Sequence, residues 1–464
     1  MRVSRRTFLL GAVASPLALR QSRAAPEWFV ARPRPDAIAA YLDSPSYLPG
    51  TTAQLACDSA GRPYRVAVYR VGDRFELVHE QSVGSNPVQP TLTIADDRPR
   101  GEKLATFAWE PSLELAIGSD WQSGAYLVRL TRDDGAESYA SFVVRPAALA
   151  ELTVCLSTHT WQAYNTFGGL SLYRDTRLPA GKDRDQALVA HSVTALRPYV
   201  QAYGAGDLLR YDLPLLIWLD RLGLEPSLIT DRDVLGGVEL ERVGLLVLSG
   251  HTEYHARSEL DRYRAFVNGG GNLALFGGNG FVWQARFSAD RSRITVWRQR
   301  ALDPVKGTRS SIRFRDLGLD PAALTGVRPV HGPRRAFRVR AAGHWSLDGT
   351  GVTDGQPIAD VLGAEFDGVP RGRVDTTVLA RAGSVDLSLR QSRAGGFVFS
   401  GSQLGFNWHL AYPAWPPAAW IDASTPPGGK RDTPARTRVH PVVQRIAGNL
   451  LARGLRIENP VPRR

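Results

Sequence analysis

The stretch SGHTEYHA, Ser249 to Ala256, puts two imidazoles, a carboxylate and a phenol on a few consecutive residues. It follows the apolar run VGLLVL and precedes SELDRYRAFV, whose apolar spacing is helical. Residues of these types bind metals or move protons. His251 and His255 stand four apart, as in the zinc-protease pattern His-Glu-x-x-His, which needs both rings on one helical face and a glutamate right after the first. Thr252 occupies that place, and the helix is predicted to start at Ser258, with Asp261 completing a capping-box-like pair. Both histidines then belong to a loop, which argues against a zinc protease. Ser249 lacks the Gly-x-Ser-x-Gly flanks of a nucleophile elbow, and the turn carries no Cys, so thiol chemistry is excluded and serine chemistry disfavoured.

The elements around this turn dictate what it can meet. From residue 26 to 147 short alternating runs (YRVAVYRV, RFELVHEQ, GAYLVRLTR, ESYASFVVRP) are broken by Gly, Asp and Pro, which predicts an immunoglobulin-like, all-β sandwich. From 150 to 460 the pattern changes. LTVCLST, PSLIT, VGLLVLSG, NLALFGGNG and the later GGFVFSGS read as strands. LPLLIWLDRLG capped by Asp212, SELDRYRAFVNGGG and HPVVQRIAGNLLARGL read as helices. This alternation predicts an α/β domain with a doubly wound, mostly parallel sheet of the flavodoxin or glutamine-amidotransferase kind. In such sheets ligands collect beyond the carboxyl ends of the strands. The loops there are STHTWQAYNTFGGLSLY, TDRDV, SGHTEYH and GGNGFVW, three of them rich in polar, aromatic and glycine residues. Residues 290 to 400 give only weak strand signals among Arg, Gly and Pro.

At the start, Arg5-Arg6, a moderate apolar run and a small-residue exit at Ala24-Ala25 form a twin-arginine export signal over residues 1–24. The apolar run falls short of the roughly 20 residues of a membrane span. After processing, the chain is expected outside the cytoplasm, periplasmic or extracellular, with the export machinery as a partner and no stable span. Losing residues 1–24, with five arginines and no acid, takes the net charge from +12 to +7. The remaining arginines are interspersed with acids and form no basic block, which argues against nucleic acid. Cys57 and Cys155 fall in different predicted domains, so a disulfide and two buried thiols are both open. Self-association as a homo-oligomer is likewise open.

Taken together, WQAYNTFGGLSLY, LPLLIWLDRLG, VLSGHTEYHA and GNLALFGGNGFVW resemble the catalytic domain of the N,N-dimethylformamidase large subunit, over about residues 150 to 460. The resemblance implies an amidohydrolase with a mononuclear, ferric iron held by two tyrosines and a glutamate. On this chain these are Tyr164, Tyr173 and Glu253, with His251 and Asn279 in catalytic roles. Phenolates and a carboxylate are hard oxygen donors that suit ferric iron better than zinc, and three protein ligands leave positions for water and an amide carbonyl. His251 is placed to protonate a departing amine, and Asn279 to orient the carbonyl. Trp161, Phe167 and Trp283 would line the pocket for a small amide.

Bland roles stand beside these. Either tyrosine could be a packing residue, Glu253 a surface charge, His251 a loop histidine, Asn279 a left-handed turn, and the three aromatics core. Tyr164 and Tyr173 are nine apart, without the insertion that separates the family's pair. The family enzyme is cytoplasmic and has a small subunit, in contrast to an exported chain, and its late active-site carboxylate has no assignable position here. An alternative is an exported, non-enzymatic protein that keeps the scaffold and binds a ligand or carbohydrate through its sandwich.

Overall fold

The computed structural model describes residues 26–411 and 439–461, apart from residues 91, 97–102, 180, 183, 186, 187, 334 and 362. The export signal expected over residues 1–24 lies outside the described residues.

In the first third, Ala39–Leu42, Thr52–Asp58 and Leu113–Ala116 form one sheet. Ser46–Tyr47, Glu137–Val144, Gly124–Arg132, Tyr64–Arg70 and Glu76–Val83 form another. Alternate residues such as Leu55, Val66, Val128 and Leu130 point into a shared apolar cluster, as period-two strands require. Trp121 stacks on Tyr126 with ring centres 5.0 Å apart. Two strands of this region pair elsewhere. Thr93–Asp96 and Lys103–Thr106 extend a sheet with Ser192–Thr194, Arg293–Thr295 and Arg286–Phe287.

The largest sheet has nine strands. Ser227–Thr230, Leu152–Leu156, Leu245–Ser249, Asn272–Phe276 and Phe397–Ser400 lie side by side and parallel. They are continuous runs of Leu, Val, Ile and Phe with almost every residue buried, the composition of strands covered on both faces. Beyond them the direction alternates through Val385–Gln391, Thr376–Ala382, Ala336–Val339 and Pro357–Asp360.

The fold class expected from the sequence is therefore corrected. The chain is mostly β, spread over six sheets among the described residues, and its main sheet is mixed, half its pairings being antiparallel; it is not a doubly wound, mostly parallel α/β sheet. The reason lies in residues 290 to 400. Parallel pairing needs a long crossover, whereas Thr376–Ala382 returns into Val385–Gln391 through only Gly383 and Ser384, Gly383 at φ 66°. Helices are few. Leu213–Arg221, Arg257–Asn268 and Pro441–Leu455 are the longer ones among the described residues, and none is long and apolar enough to cross a membrane.

Two helix starts also differ from expectation. The second of these helices begins at Arg257, and Glu259, not Asp261, reaches back to accept from the Ala256 amide at 2.6 Å. Asp212 precedes Leu213 but makes no side-chain cap; its carboxyl turns inward to accept from Ser249 Oγ at 2.5 Å. Cys57 and Cys155 are free, buried thiols in separate apolar clusters.

Candidate functional site

Ser249 and Phe276 are register partners at the ends of adjacent parallel strands, so the chains leaving them run out together. Gly250 takes φ 67°, and Gly277 packs so tightly on it that a Cβ there would lie 1.7 Å from the Gly250 carbonyl oxygen. Only glycine allows this approach. The two turns then lock together. The amides of Val282 and Trp283 donate to the Glu253 carbonyl, Phe281 N donates to Thr252 O, and Tyr254–His255 pairs with Trp283–Gln284. From the opposite side Thr160 Oγ1 accepts from Glu253 N at 3.0 Å. Thr160 belongs to helix Thr158–Tyr164, which follows strand Leu152–Leu156 directly and carries Tyr164 at its end.

Tyr173 arrives on an irregular loop that has its own fastenings. Arg197, fully buried, donates to the carbonyls of Gln162, Phe167 and Leu170. Ser171 Oγ accepts from the amides of Tyr173 and Arg174. Lys103, from the strand that crosses over from the first third, pairs with buried Asp175 at 2.6 Å.

Glu253 is the meeting point of these elements. Its carboxylate is 3% exposed and accepts from Tyr164 Oη at 2.8 Å, from Tyr173 Oη at 2.8 and 2.9 Å, from Trp283 Nε1 at 3.0 Å and from Asn279 Nδ2 at 3.3 Å. His251 Nε2 stands 3.5 Å from the same carboxylate, its ring 5.2 Å from that of Tyr164. The two tyrosine rings stack 4.2 Å apart. Burial, and then the Glu253 charge, hold both phenols well above their usual range, so here they are protonated donors to the carboxylate. Arg298 caps the cluster, with its guanidinium carbon 3.7 Å from the Tyr173 ring centre and Nη2 donating to Tyr254 Oη at 3.0 Å.

Asn279 has φ 59°, and its amide donates to Asp367 at 2.7 Å. Burial pushes the Asp367 carboxyl up to about 7, against the backbone amides of Asn279 and Gly280. The Asn279 side chain also donates to Glu365 Oε2 at 3.1 Å. Glu365 and Asp367 come from the stretch whose strand signals are weak; apart from their being two carboxylates two residues apart, the sequence offers no signal for them.

These groups open into a cavity of about 860 Å³, within the range of small-molecule sites. Tyr164, Tyr173, His251, Glu253, Asn279 and Trp283 all face it. Trp161 and Phe167 lie elsewhere: Trp161 is 4% exposed in the main core beside Tyr199, and Phe167 packs on Phe107 and Trp109. His255 is buried away from the cavity, bonded to Thr252 and Glu259.

The sequence profile of the family described as "N,N-dimethylformamidase beta subunit-like, C-terminal" matches residues 65–419, three quarters of the chain. The chain belongs to this family. Membership points to amide hydrolysis in general terms. No curated protein matches the chain. Among solved structures, the sporulation control protein Spo0M from Bacillus subtilis aligns over 24% of this chain and 49% of its own, at 15% identity and a TM-score of 0.15. The chain thus spans about half that protein's length, and the likeness carries no argument.

Proposed function

We propose that the protein is an exported, iron-dependent hydrolase of small linear amides, with Tyr164, Tyr173 and Glu253 as the metal ligands. The observation that carries this reading is the convergence of two phenol oxygens on one buried carboxylate at 2.8–2.9 Å, in the wall of a cavity. No cluster of three His, Cys, Asp or Glu side chains suited to a metal occurs among the described residues. The donors that do converge are all oxygen, which fits a hard ion of high charge. Tyr164, Tyr173 and Glu253 would hold it, the two tyrosines as phenolates, because the ion's charge would offset the burial that otherwise keeps them protonated.

Bound there, ferric iron would polarise an amide carbonyl and acidify water. The chain's own groups do the rest. Trp283 Nε1 and Asn279 Nδ2 hold one oxygen of Glu253, fixing the carboxylate's orientation. Asn279 is itself held by Asp367 and Glu365, and by exchanging its bond to Glu365 its Nδ2 would donate to the substrate carbonyl and orient it. His251, buried beside Glu253 and facing the cavity, delivers a proton to the departing amine nitrogen. Glu365, on the cavity wall and bonded to Asn279, can accept a proton from water. Amine or ammonia release from simple amides by purified protein, lost in Glu253→Gln, tests the reading; intact release in that variant would sink it.

A further inference from the structure

Six arginines line the cavity: Arg174, Arg184, Arg210, Arg313, Arg315 and Arg328. Small neutral amides give such a wall nothing to bind. Some of its charge is spent within the protein. Arg328 pairs with Asp320, Arg315 stands 3.6 Å from Asp316, and Arg210 lies over the Tyr211 ring and next to Asp207. Arg313 differs. It is half-buried, its guanidinium carbon lies 5.1 Å from the centre of the Trp283 ring, and among the described residues no carboxylate comes within ion-pair distance of it. Its position is fixed by backbone: Arg313 bridges Trp283 directly, Gln284 N donates to Ile312 O, and Phe314 N donates to Val282 O.

The same indole therefore carries Arg313 on its ring and donates from Nε1 to Glu253. We infer that the substrate is an amide bearing a carboxylate a few bonds from its C–N bond, the carboxylate held by Arg313 while the amide sits against the Glu253 cluster. A guanidinium over an aromatic face is partly desolvated and keeps its planar fork of donors, which matches a carboxylate in a two-point contact. Six arginines against four lining acids, Asp207, Glu253, Asp320 and Glu365, leave the wall net positive, which also draws anions into the cavity. The inference rests on the amide-hydrolysis reading for its chemistry and on Arg313 for its charge.

The test compares succinamate with its neutral counterpart, succinamide, on the full-length protein. Binding is measured by calorimetry and turnover by ammonia release, in the parent, Arg313→Gln and Arg313→Lys, with folding checked by circular dichroism. Succinamate should bind about 30-fold more tightly than succinamide, a preference that Arg313→Gln abolishes through KM and Arg313→Lys keeps in part. Equal binding of the two amides, no binding of succinamate at millimolar concentration, or a preference unchanged in Arg313→Gln would overturn the inference. Turnover of both amides without preference leaves the hydrolase reading standing and removes the anion site. Arg313-dependent binding without turnover of either leaves the anion site standing and removes the hydrolase reading.

Discussion

Replacing Asp212 by asparagine should make the protein more tolerant of alkaline pH. Asp212 is 1% exposed behind the Ser249–Gly250 turn; one oxygen accepts from Ser249 Oγ, and the other has no hydrogen-bond partner. Burial pushes its carboxyl up to about 8 from an ordinary 3.8, with the Ser249 hydroxyl opposing the shift. The folded protein then holds a proton there that the unfolded chain loses near pH 4. The group's stabilising contribution is complete below pH 4 and declines as pH rises towards 8. At about 1.4 kcal/mol per unit, the decline is on the order of 5 kcal/mol over that window. Asparagine keeps the shape and the acceptor for Ser249 and does not titrate. Guanidinium unfolding followed by tryptophan fluorescence should find the two proteins close at about pH 4.5. By about pH 8 the variant should be ahead by several kcal/mol. A stability difference independent of pH would mean that Asp212 is ionised in the native protein and the account of its burial is wrong.

Tyr173→Phe and Glu253→Gln should each weaken metal retention more than about tenfold with little effect on folding, while His251→Ala keeps the metal and loses turnover, as elemental analysis beside activity will show. If His251→Ala loses iron and Glu253→Gln retains it, the roles are misassigned. Gly277→Ala puts a Cβ into the Gly250 carbonyl, so it should cost about 3 kcal/mol or more, or prevent folding, as read by thermal unfolding. Lys103→Met strips Asp175 of a buried partner while Arg177 remains bonded to it. We expect a loss of about 3 kcal/mol and weaker metal retention through the loosened Tyr173 loop; unchanged stability would show that Arg177 suffices.

How much of this was legible in the sequence depended on whether the signal was local. Leu152–Leu156, Leu245–Ser249 and Asn272–Phe276 announce themselves as apolar runs closed by polar or glycine residues, so the segments carrying Tyr164, Glu253 and Asn279 could be placed beyond strand ends, though the helix that holds Tyr164 reads as loop in the sequence. That Tyr173 reaches Glu253 depends on Arg197, Lys103 and Asp175, whose contacts join residues far apart in the chain and leave no periodic trace. The fold class failed for the same reason. The crossing of strand 103–106 to strand 192–194 and the antiparallel extension of the main sheet are long-range pairings in segments of weak alternation. Asp212 misled because an aspartate before an apolar helix is the usual N-cap pattern, and tertiary burial against Ser249 outweighed it. Trp161 was taken from its position beside the site, but position along a helix does not say which side chains face a cavity and which face the core.

The central claim is that Tyr164, Tyr173 and Glu253 form an iron centre, and the composition and colour of the purified protein test it most directly. Tyrosinate bound to ferric iron absorbs visible light, so concentrated protein should be coloured and contain about one iron per chain. The band should weaken in Tyr173→Phe and disappear together with the iron in Glu253→Gln. Colourless protein fully occupied by zinc, or colour and iron unchanged in both variants, would contradict the account.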